Sequence, residues 1–214
     1  MKGLFIKDFQ LMKSQKNFFF LILAIAVGMA MYMENIGLIS SYLGFIGTMF
    51  SLSSINYDEF DNGNPFLFSL PISRREYVLE KYGFGLILGG SFWLMGTVIS
   101  MAVQTFRQAR PPVDILPACL AILPFLPLFL SIMLPLQLKF EGEKGRIARA
   151  GVIGVIFLIC ILSGKLFQTL NLNPFPILQH FRGETLLAAL VILCAAMLLL
   201  SCRISISIME RKEF

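Results

Sequence analysis

The chain has 214 residues, of which 57% are hydrophobic and 14% charged, with a net charge of +5 and a mean hydropathy of +0.77. Such a balance lies far from that of soluble domains and excludes a soluble enzyme; it also removes nucleic acid as the explanation of the basic excess. The composition reads as an all-α, polytopic membrane protein forming one domain over residues 1–214.

Residues 1–16 open the chain with Phe5, Phe9, Met12 and Lys16 at helical spacing, and with Lys7, Gln10, Lys13 and Ser14 on another side. This pattern fits an interfacial amphipathic helix or a plain charged flank of the first span. The segment superficially resembles a signal peptide, but no small-residue cleavage site follows the apolar run, so it is expected to be retained. Uncharged stretches then run Asn17–Met33, Ile36–Asn56, Tyr82–Phe106, Ile115–Leu138, Ala150–Gly164 and Thr185–Cys202. A spanning helix needs roughly 17 to 25 apolar residues, so these predict six transmembrane helices, the fifth extended past Lys165 by snorkelling. The first two are joined by a tight hairpin. Gly85, Gly89 and Gly90 in the third permit close helix approach. Pro117, Pro124, Pro127 and Pro135 in the fourth predict a bent or broken rod.

All but four of the 18 Lys and Arg residues fall in the N-terminus, the connection at 57–81, the connection at 139–149 and the C-terminal tail; the exceptions are Arg107, Arg110, Lys165 and Arg182. Positive charge concentrates on the cytoplasmic side, so both termini are expected there.

Several chemistries are missing. No ionisable residue lies near the middle of an assigned span, and no buried ion pair is expected for recognising a small charged solute. Cys119, Cys160, Cys194 and Cys202 lie in apolar runs without C-x-x-C spacing, and His180 is the only histidine, so no metal site or disulfide is expected. The residues around Lys165 lack the upstream glycine of a phosphate-binding loop and the hydroxyl residue that follows its lysine. No catalytic or cofactor-binding residue is therefore assigned.

The segment YDEFDNGNPFLFSLPISRREYVLEKYG, from residue 57, crowds charge around an apolar run. Asn64 suits a helix N-cap with Pro65 at the first helical position, and Pro71 stops the short helix. Ser73 and Glu76 form a capping-box pattern that opens a second helix leading directly into the third span. The short helix would expose Phe66, Leu67, Phe68 and Leu70, an apolar patch rimmed by charge. From the residues alone it is either a docking surface or an elbow lying against lipid headgroups.

LPISRREYVLEKY, together with the opening MKGLFIKDFQLMKSQ, the later PLQLKFEGEKGRIAR and the closing IMERKEF, resembles permease subunits of ABC-2-type exporters, in particular the small six-span group that includes permeases of phenol-soluble modulin exporters. The resemblance implies a permease of the bacterial plasma membrane, itself without ATPase activity. It implies a second permease copy or homologous permease, and separate cytoplasmic ABC ATPase subunits that bind ATP and magnesium. It further implies that short coupling helices contact the ATPase, here Asn64, Phe66, Leu67, Phe68, Leu70, Ser73, Arg74, Arg75 and Glu76, with Lys144 and Arg146 as a second contact. The expected cargo is an amphipathic peptide or toxin, with a lipid or hydrophobic drug as alternatives; the substrate pathway is not assigned. A non-transporting assembly factor or sensor that docks a cytoplasmic partner is the alternative function, and an intramembrane enzyme is disfavoured by the missing polar pairs.

Overall fold

Long apolar runs broken only by short polar connections can satisfy their backbone groups in a membrane as helices, and helices are what they form. The computed structural model describes residues 2–33, 36–60, 63–107, 112–140, 142–169 and 183–212. Its helices are α1 (Lys2–Ser14), α2 (Lys16–Tyr32), α3 (Ile36–Glu59), α4 (Gly63–Ser69), α5 (Arg74–Phe106), α6 (Pro112–Leu120), α7 (Phe125–Lys139), α8 (Gly142–Thr169) and α9 (Gly183–Glu210). Among the described residues there is no strand.

Among the described residues four units are long and apolar enough to cross a membrane: Gly37–Glu59, Arg74–Phe106, Leu116–Lys139 and Ala188–Glu210. Helices α1 and α2 meet at 67° and together qualify as a fifth. The helix α8 runs through the expected fifth span, Ala150–Gly164, and among the described residues its apolar stretch is Ala150–Ile159. The expected loop at 139–149 is largely helical, because α8 begins already at Gly142; glutamate, lysine and arginine are good helix formers and carry the helix outward.

The centre of the bundle is the pair α3 and α5. A Cβ on Gly96 would stand 2.8 Å from the Cα of Ser40, and one on Gly47 would stand 2.9 Å from the carbonyl oxygen of Leu88. Both obstacles are backbone atoms, so the small residues set the distance between the helices. The expected contacts of Gly85 and Gly89 are present, with Ser51, Thr48 and Leu130 as neighbours. Gly90 departs from expectation: it has nothing within 4 Å.

The fourth span is broken, as its prolines predict. A turn at 121–124 separates α6 from α7. The Trp93 indole N–H donates to the Cys119 carbonyl at 3.0 Å, fixing the break against α5. Within α7, Pro135 has no N–H to offer the carbonyl of Ser131, four residues earlier. The Ser201 hydroxyl of α9 supplies the missing donor at 2.5 Å, and the Tyr82 hydroxyl of α5 meets Ser201 and Ser205 at 2.5 and 3.0 Å. A hydrophobic core of Leu4, Leu52, Ile55, Tyr77, Val78, Leu130, Met133, Leu134, Leu138 and Met209 surrounds this joint.

Candidate functional site

Contacts from five helices converge on one end of the bundle. Arg74, at the start of α5, donates to the carbonyls of Met209 and Glu210 at the end of α9, at 3.1 and 2.7 Å. The Lys212 ammonium donates to the Leu138 carbonyl of α7 at 2.9 Å. The Tyr77 hydroxyl donates to Asp58, at the end of α3, at 3.1 Å, and Lys81 reaches Asp8 of α1 at 2.5 Å. Helix α4 lies at this same charged end.

The α4 helix divides its apolar side chains between two faces. Phe66 is 73% exposed and Leu70 44% exposed. Leu67 and Phe68 are half-buried against the hydrophobic core, and the Phe68 ring meets Tyr77 edge-on with centroids 5.5 Å apart. The expectation that all four face outward is therefore corrected. In this seven-residue helix, consecutive residues 67 and 68 cover the inward arc, while Phe66 and, just past the helix end, Leu70 face outward. Phe60, 72% exposed just past α3, adds a further outward aromatic at this end.

Asn64 does not cap α4. The helix starts at Gly63, which places Asn64 inside it, 6% exposed, with Oδ1 unpaired. The Ser73 and Glu76 pattern does form a reciprocal capping box: the Glu76 amide donates to Ser73 Oγ at 3.2 Å, and the Ser73 amide donates to Glu76 Oε2 at 3.2 Å. Arg74 and Arg75, adjacent in sequence, part company. Arg74 is occupied with the end of α9, whereas Arg75 is exposed. The side chains of Lys144 and Arg146 lie outside those described.

The expectation of no buried ion pair is overturned at the same end. Lys81, fully buried, lies 2.5 Å from Asp8, 2.9 Å from Asp58 and 3.7 Å from Glu80. Lys7 pairs with Asp58 and lies 3.3 Å from Asp8. Ser54 of α3 donates to Asp8 and accepts from Lys81. By sequence, Lys81 ends the charged connection at 57–81, just ahead of the apolar run, where nothing adjacent marks it as buried. The signal available was its place on the helix opened by the capping box: one helical turn beyond Tyr77, it shares that residue's inward face.

Apolar hollows flank the break in the fourth span. One, of about 300 Å³, is lined by Leu86, Leu123, Pro124, Pro127, Val191 and Cys194 among others. Another, of about 580 Å³, lies between Met29, Tyr42, Phe45, Ile122 and Phe125. Among the described residues no cluster of His, Cys, Asp and Glu is arranged to hold a metal ion.

Residues 3–210 match the family profile described as ABC-2 family transporter protein. The chain belongs to that family. It is accordingly a multi-pass integral membrane protein and a permease subunit of an ABC transporter, a transport component of a kind that pairs with an ABC ATPase subunit. Comparison with curated proteins and with solved structures found no match. The outward face of α4 is apolar and exposed, and the chain runs from it through the capping box into the membrane-crossing α5.

Proposed function

We propose that this permease is the membrane subunit of an ATP-driven exporter of the bacterial plasma membrane, with both termini and α4 in the cytoplasm. In this reading it has six spans, counting α1–α2 and α8, and works as a pair with a second copy or a homologous permease. Separate ATPase subunits supply ATP and magnesium, and α4 with Arg75 is their docking element. The observation that carries the reading is the split of α4. Its outer residues Phe66 and Leu70 await burial, while Leu67 and Phe68 hold the helix to α5. A push on α4 then passes through Phe68, Tyr77 and the capping box into α5. That helix has 33 residues, about 50 Å of rod against a hydrocarbon layer of about 30 Å.

The cargo proposed is an amphipathic peptide or toxin, as in the phenol-soluble modulin exporter group. Gly89 and Gly96 of α5 are packed against α3, whereas the hollow beside Leu86, Pro124, Pro127 and Cys194 lies at the break in the fourth span and is almost wholly apolar. Such a surface suits the apolar face of an amphipathic helix. A series of helical peptides of equal length and composition, but with apolar and polar residues increasingly segregated onto opposite faces, is expected to raise ATP hydrolysis by the reconstituted permease and ATPase in step with that segregation. Stimulation by sugars, amino acids or metal ions, with none by peptides or lipids, contradicts this cargo.

A further inference from the structure

Among the described residues, the cluster between α1, α3 and α5 is one positive charge short. It holds two ammonium groups, Lys7 and Lys81, against three carboxylates, Asp8, Asp58 and Glu80. The other charged group at the end of α3, Glu59, is also acidic and cannot restore the balance. Neither exposure nor hydrogen bonding compensates Glu80. Its side chain is 0% exposed, neither carboxylate oxygen receives a hydrogen bond, and its one close cation, Lys81 at 3.7 Å, is already shared by Asp8 and Asp58 at shorter distance. Asp8 Oδ1 also receives no hydrogen bond. Burying a carboxylate as an anion without donors is costly, and taking up a proton removes that cost.

We propose that Glu80 is a proton-binding site, and that the cluster holds one proton on this carboxyl to complete its charge. Glu80 lies ahead of the apolar run that starts at Tyr82, at the charged end of the bundle, where α1, α3 and α5 are tied together. With the proton bound, two cations face two anions and α1 is held to α5. Without it, an extra negative charge stands between those helices and loosens α1. The ligand is a proton alone, and the site involves none of the outward residues of α4.

Infrared difference spectra of the full-length protein in lipid, wild type minus Glu80→Gln at neutral pH, test this directly. The expected result is a protonated-carboxyl carbonyl band present in the wild type and lost in the variant, with an unchanged thermal unfolding midpoint, because glutamine mimics the neutral acid. Absence of the band, or its persistence in Glu80→Gln, overturns the proposal, as does a markedly lowered midpoint, which would mean that Glu80 acts as the anionic partner of Lys81. Asp58→Asn balances the cluster without a proton and is expected to abolish the same band; a folded Asp58→Asn protein that keeps it overturns the charge count. If that variant does not fold, the Glu80→Gln spectrum decides alone. None of these readouts requires an ATPase, so they are independent of the transport reading.

Discussion

The Ser201 hydroxyl donates to the Ser131 carbonyl at 2.5 Å, taking the place of the amide that Pro135 cannot provide. A proline in one span is thereby matched by a hydroxyl in another. Removing the hydroxyl leaves a buried acceptor unpaired, at a cost of about 1–3 kcal/mol. Ser201→Ala is expected to lower stability by that amount in detergent unfolding. The loss should shrink in a Pro135→Ala background, where the α7 amide returns; an equal loss in both backgrounds would mean that the contact with Tyr82 is what matters.

The glycines of α5 make a sharper contrast. Gly96→Ala drives a methyl into the backbone of Ser40, which cannot rotate away, whereas Gly90→Ala enters open space. Overpacking costs about 1–3 kcal/mol, and alanine in an exposed helix position gains up to about 1 kcal/mol over glycine. Unfolding midpoints should therefore fall for Gly96→Ala and stay level or rise for Gly90→Ala.

In the proposed docking, Arg74 serves the fold and Arg75 the partner. Arg74→Ala removes charge-assisted hydrogen bonds to the end of α9, each of a kind worth about 1.5–3 kcal/mol, and should lower stability. Arg75→Ala should leave the unfolding midpoint unchanged and slow association with the ATPase, more so at low salt. Matching effects of the two variants on stability would refute the division.

How much of this was legible from residues alone follows physical lines. Helices announce themselves through uncharged runs, and the broken fourth span through its prolines, because both are local effects. Ser73 and Glu76 were readable for the same reason, since a capping box is complete within four residues. The inward turn of Phe68, the use of Arg74 at α9 and the burial of Lys81 depend on which helices become neighbours. Arg74 and Met209 are 135 residues apart, and Lys81 and Asp8 are 73 apart. The charge of Lys81 suggested solvent, but the partners that allow its burial come from α1 and α3 and carry no local mark.

In the proposed docking, α4 meets the ATPase through its outer face while its inner face holds the fold, and Phe66 and Phe68 divide those tasks. Buried aromatic anchors commonly contribute about 2 kcal/mol or more to an interface, roughly a thirtyfold change in affinity. The deciding measurement is ATPase affinity for the reconstituted permease, taken beside its unfolding midpoint, for Phe66→Ala and Phe68→Ala. Phe66→Ala is predicted to weaken binding at least about tenfold with an unchanged midpoint, and Phe68→Ala to lower the midpoint. Wild-type ATPase affinity in a folded Phe66→Ala permease would contradict docking through this face.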